Sequence, residues 1–127
     1  MKKFLTKPVG DLLTRVAQEE AILDPVTNMR SDVMLSMMRA LWEQVTADLR
    51  GVAVRYEGSS EQGTIEGRFL YEGDVGEVQA ECVALAETYC IADYPPEVSV
   101  KFRAIPHATR DLLPGEDWVF LRWEPEH

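Results

Sequence analysis

Few residues in this chain combine in a way that could do chemistry. Only two histidines occur, His107 in a segment that reads as loop and His127 at the C-terminus, so the commonest general base has few places to stand. No serine, cysteine or aspartate is set by a motif to act with His107. Cys82 and Cys90 lie eight positions apart, a spacing that fits neither a CxxC redox pair nor a zinc knuckle, and no histidine is near enough to complete a metal site. Both therefore read as reduced thiols in the core, where free cysteine is most often found. Adjacent carboxylates at Glu19-Glu20 and Glu116-Asp117, and the close pair Glu124 and Glu126, read as solvated charge rather than as an acid/base pair. The sequence has no dinucleotide or P-loop glycine motif, no HExxH and no GxSxG. Read as an enzyme the sequence is unarmed by any of these motifs, and no cofactor and no metal are expected.

A binding surface is better supplied. Tyr71-Glu72-Gly73-Asp74 with Glu77 places an aromatic ring and several carboxylates at what reads as one hairpin tip, and loop tips on a rigid sheet are where binding residues concentrate. Asp93-Tyr94-Pro95-Pro96-Glu97 repeats the combination in a stiff segment, and Glu116-Asp117-Trp118 with Trp123-Glu124 repeats it near the C-terminus. The candidate partner-binding residues are thus Tyr71, Glu72, Asp74, Glu77, Asp93, Tyr94, Glu116, Trp123 and Glu124. Tyrosine and tryptophan anchor interfaces more often than most residues, and interleaving them with carboxylates suits a basic partner. The net charge points the same way. Thirteen basic against 22 acidic residues give −9 at pH 7, which argues against nucleic acid or an anionic membrane surface as partner. The same imbalance would also serve solubility alone.

These residues must be held by a single domain, since 127 residues are enough for one core and too few for two. Hydrophobic residues at 46% and charged residues at 28% are ordinary for a globular chain. The longest coherent stretch is Ser31–Arg50. Met34, Met38, Leu41, Val45 and Leu49 form one helical stripe there, widened by Met37 and Trp42, with Asp32 in the first turn and Gly51 as the left-handed stop. Pro8–Leu23 reads as a preceding helix, ended by Asp24-Pro25.

After Gly51 the strand period takes over. Strands are predicted at Val52–Glu57, Thr64–Glu72, Glu77–Cys82, Val98–Ala104 and Trp118–Glu124, with turns at Gly58–Gly63 and Gly73–Gly76. Gly67 implies a bulge or the close approach of another backbone. The stretch 83–92 reads as a short helix. In the last strand, Trp118, Phe120 and Arg122 share one face. The layered architecture that follows is α+β: two N-terminal helices packed on one face of an antiparallel sheet of about five strands, with a short helix near 83–92. The lysines of Met1–Pro8 are not followed by an apolar signal region, and no run is long enough to span a bilayer, so a cytoplasmic location is expected.

The run Leu49–Tyr56, the acidic hairpin Phe69–Asp74 and the closing Arg110–Pro125 resemble those of bacterial toxin immunity proteins. These are the small acidic antidotes of contact-dependent growth inhibition and related polymorphic toxin systems. The resemblance implies a non-enzymatic antitoxin that binds and neutralises a cognate toxin domain, a basic nuclease for preference, as a monomer or weak dimer. Two other readings remain open: a small-molecule-binding or enzymatic domain using the loop around His107, and a structural subunit dimerising through a free strand edge.

Overall fold

The computed structural model describes residues 25–125, so the predicted helix Pro8–Leu23 lies outside the described residues, as do Glu126 and His127. Two helices and four strands follow one another as α1 (Pro25–Ala40), β1 (Leu49–Gly58), β2 (Gly63–Tyr71), α2 (Glu77–Ala92), β3 (Val98–Ile105) and β4 (Asp117–Leu121). The strands make one sheet in the order β3-β2-β1-β4. β1 runs antiparallel to both β2 and β4, whereas β2 and β3 are parallel. The class is α+β, as the sequence implies. The sheet is mixed and four-stranded among the described residues, not antiparallel with about five strands.

The difference lies at Glu77–Cys82, predicted as a strand and found as the first turns of α2. Val78, Ala80 and Cys82 alternate at the strand period, but Val78 and Ala80 are exposed, so the alternation is not a burial pattern. Burial falls instead on Val83, Ala86 and Cys90, at helical steps of three and four. The helix start is fixed locally: Gly76 N–H donates to the Gln79 side-chain carbonyl at 2.9 Å, and Glu77 puts negative charge in the first turn. Once a helix rather than a strand joins β2 to β3, the chain returns to the same end of the sheet. The two strands then pair in parallel.

One face of the sheet meets both helices. Val52 and Val54 of β1, Ile65, Phe69 and Tyr71 of β2 and Val98, Val100 and Phe102 of β3 point there, and Met29, Val33 and Met37 of α1 close over them. The buried stripe of α1 runs through Met29, Val33, Met37 and Ala40, not through the predicted Met34 and Met38; Met38 is exposed. The helix also stops ten residues before Arg50. Trp42 N–H bonds to the Arg39 carbonyl in a tightened last turn, and Glu43 adopts the left-handed conformation at φ 67°. Leu49, predicted as the end of the helical stripe, is a buried residue of β1.

The glycines that seemed to punctuate the chain prove to make room. Gly51 lies inside β1, where an added Cβ would stand 2.9 Å from the Trp118 ring. Gly67 pairs in register with Val54 and Phe102. A Cβ there would come within 2.9 Å of the Phe102 ring and 3.3 Å of Met37 Cε, so the close approach is by side chains and no bulge is needed. The bulge falls instead in β4, where Val52 faces Phe120 but Ala53 faces Trp118. That irregularity puts Trp118 and Phe120, predicted on one face, on opposite faces.

Chain from β3 to β4 crosses the sheet on the side away from the helices. Arg68, on that face of β2, donates to the Asp111 carbonyl at 2.9 Å and to both carboxylate oxygens of Glu116 at 2.6 and 2.7 Å. Leu70 and Ala53 beneath are fully buried. On the outer edge, the Phe102 N–H of β3 is taken by Glu87 of α2 at 2.8 Å, which blunts that edge as a template for a further strand.

Candidate partner-binding surface

Eight of the nine candidate residues fall into three places, and the ninth, Tyr71, lies in the core. Glu72, Asp74, Glu77, Trp123 and Glu124 gather at the end of the molecule where β2 leaves the sheet and α2 begins. Glu72 and Glu124 are linked through Arg122, which reaches them at 2.8 and 2.9 Å. Asp93 and Tyr94 follow the far end of α2, roughly 24 Å along a 16-residue helix. Glu116 lies on the sheet face opposite the helices, under the crossing loop.

Tyr71 is a core residue, fully buried, and its hydroxyl has no hydrogen-bond partner among the described residues; burial pushes its pKa up. It therefore cannot present its ring to a partner. The reason is register: Tyr71 is two residues beyond Phe69 and shares its helix-facing side of β2. Beside it, Asp74 is almost wholly exposed, and its carboxylate accepts from the His107 ring at 2.6 Å. His107 itself adopts a positive φ of 47° at the end of β3, with its N–H on the Gly73 carbonyl.

Glu124 is spent on the fold. Arg50 donates to both its oxygens at 2.8 and 3.0 Å, Arg122 adds bonds at 2.9 and 3.2 Å, and Arg110 stands 3.6 Å away. The Arg50 bond, the largest influence, together with Arg122, brings its pKa down to about 2. Glu116 is tied as firmly. Its side chain is 5% exposed, and although burial pushes its carboxyl up, the bonds from Arg68 and from the Leu113 N–H hold it below the usual carboxylate range. Asp93 accepts from Ser36 Oγ at 2.7 Å and from Arg39 at 3.1 Å. Of the aromatic candidates, Trp123 is 84% exposed, while Tyr94 is half-buried and burial raises its hydroxyl to about 12.

The cysteines divide as well. Cys90 is buried, its Sγ 3.4 Å from Ser36 Oγ, whereas Cys82, predicted to be core, is only half-buried. Burial raises both thiols above their ordinary value. Among the described residues no group of three or more His, Cys, Asp and Glu is gathered as for a metal ion, and no helix is long and apolar enough to cross a membrane.

The structure also exposes apolar residues that the sequence reading had placed under cover. Met38 and Trp42 project from α1 into solvent, joined by Leu35, and Leu85 and Tyr89 do the same on α2. A signal was present: Met34, Leu35, Met37, Met38, Leu41 and Trp42 are apolar all round the helix, more than one covered face requires.

What fold and surface define is a small α+β binding domain with its carboxylates partly locked into arginine clamps. Residues 30–124 match the family model described as MafI2 immunity protein, and the chain belongs to that family of immunity proteins of polymorphic toxin systems. The match spans both helices, the whole sheet and the crossing loop, apart from the first residues of α1. No curated protein matches the chain.

Proposed function

We propose that this protein neutralises its cognate toxin by binding the toxin domain directly, in the bacterial cytoplasm, and that this domain is a basic nuclease. Membership of an immunity family over residues 30–124 is the observation that carries the reading. The net charge of −9 supports the nuclease, because a cleft that holds nucleic acid is lined with lysine and arginine. Exposed Glu72, Asp74 and Glu77, with Trp123 beside them, form an acidic rim able to steer such a domain into contact. Asp93 and Tyr94 supply a second acidic and aromatic point. Glu116 and Glu124 contribute through the fold, and Tyr71 through the core. No chemical step is asked of the protein, which acts by occupancy.

The test uses the toxin domain encoded by the neighbouring gene. Co-expressed with this chain it should be tolerated and co-purify, and the association rate should fall as salt rises, since rim charges act over about 8 Å at physiological ionic strength. Charge reversal of Glu72, Asp74 and Glu77 to Lys should lower that rate further. A toxin neither bound nor neutralised by the wild-type chain would overturn the reading.

A further inference from the structure

The outward faces of the two helices carry apolar surface that the fold does not use. Leu35 and Met38 of α1 and Trp42 in the turn just past its end recur at steps of three and four, on the side away from the core residues Val33 and Met37. Trp42 is 75% exposed and Tyr89 of α2 is 57% exposed, large aromatic areas to leave in water. The two rows meet. Trp42 and Tyr89 line a hollow of about 430 Å³ together with Arg39 and Glu43.

Arg39 also borders a second hollow, of about 330 Å³, so the two adjoin across its side chain. This one is polar: Asp32, Ser36, Asp93 and Tyr94 line it, and the Tyr94 hydroxyl is buried there without a hydrogen-bond partner among the described residues. Asp93 is also the C-terminal cap of α2, where the helix dipole favours a cation. Among the described residues Arg39 is the one basic side chain lining the two hollows, and it is already bonded to Asp93.

We infer that this two-helix face is the centre of the toxin contact. A partner apolar side chain enters the Trp42–Tyr89 hollow, and a lysine or arginine enters the Asp32–Asp93 hollow. The inference rests on the immunity reading and assigns it a surface. Charge selects the occupant: Asp32, Glu43 and Asp93 suit a basic protein and would repel nucleic acid or an anionic lipid surface. Composition agrees, since aromatic anchors in a desolvated centre with charged groups at the margin describe an interface.

Hydroxyl-radical footprinting of the full chain, alone and with the toxin domain encoded by the neighbouring gene, tests the assignment. Met38, Trp42 and Tyr89 should be oxidised readily in the free protein and protected in the complex. Trp42→Ala should weaken binding about 30-fold, chiefly by faster dissociation, with an unchanged melting temperature. Asp32→Lys should weaken it about tenfold, chiefly through association.

Protection already present in the monomeric free chain would overturn the proposal, because the chain's own residues outside 25–125 would then cover the face. Protection that grows with protein concentration in the absence of toxin would overturn it in favour of a second copy. If Trp42→Ala and Asp32→Lys bind with wild-type rates while reversal of Glu72, Asp74 and Glu77 abolishes binding, the contact lies at the acidic end and the immunity reading stands. A toxin that the wild-type chain does not bind removes both.

Discussion

Glu116 separates a partner contact from a structural one, and Glu116→Ala shows which it is. The carboxylate takes two bonds from Arg68 at 2.6 and 2.7 Å and one from the Leu113 N–H at 2.7 Å. The two side chains are 12% and 5% exposed, so solvent screens the pair weakly. Removing the carboxylate leaves a guanidinium in a nearly dry site with the Asp111 carbonyl as its remaining acceptor. Breaking one side of such a pair costs about 3 kcal/mol. For a 127-residue chain each 1 kcal/mol lowers the melting temperature by about 4 °C, so the variant should melt about 12 °C early. Replacing both partners by apolar residues, Arg68→Met with Glu116→Leu, should recover most of the loss, because no charge is then stranded. Circular dichroism melts and urea titrations of the three proteins, with toxin binding measured well below each midpoint, supply the comparison. A Glu116→Ala protein that melts within about 3 °C of wild type yet no longer binds toxin would refute the reasoning and return Glu116 to the contact surface.

Acid should weaken the fold in a defined window. Glu124 is held at about 2 against an ordinary 4.5, and a depressed native pKa means that the unfolded chain binds more protons, so its contribution is complete above about pH 4.5 and is lost as pH falls toward 2. Urea midpoints of Glu124→Gln measured across that range should be lower at neutral pH and less steep in acid than those of the wild type; equal slopes would mean the arginine clamp does not form. Thiol labelling should resolve the cysteines into two classes, Cys82 reacting in the folded protein and Cys90 only on unfolding. Equal rates for both would contradict the difference in their burial.

The β1–β2 hairpin was legible because three local signals agree there. Alternation, turn residues and paired glycines all point to the same register, and Gly58 and Gly63 close a turn in which Ser59 Oγ accepts from the Glu61 and Gln62 N–H groups. At Glu77–Cys82 the signals conflict. Alternation says strand, while alanine content and the Gly76–Gln79 cap say helix, and the cap with its buried Val83–Ala86–Cys90 row prevails. The misreading spread further than its own six residues, because helix or strand at that point decides whether β3 returns parallel or antiparallel. Gly51 misled for a different reason. Glycine after an apolar helical run is the usual mark of a stop, but here the residue is small because Trp118, 67 positions later, packs over it, a contact that no local pattern reports.

The candidate surface shows why a charge count is a poor map. The sequence offered nine residues as equals, since each sat in an aromatic and acidic neighbourhood; the fold sorts them by what stands opposite. Glu116 meets Arg68, Glu124 meets Arg50 and Arg122, Glu72 meets Arg122, and Asp93 meets Arg39, so four carboxylates serve intramolecular pairs before any partner arrives. Pairing of this kind depends on arginines up to 74 positions away and is not written in any local stretch. What was written, and passed over, is the excess of apolar residues on α1. A helix with one buried face needs one apolar stripe, and α1 has a second. In a family of immunity proteins, leaving Trp42 and Tyr89 in water together is a cost to the free protein that a partner surface would recover, and two exposed aromatics around one hollow are what favour the helix face over the acidic end, where Trp123 is exposed as well.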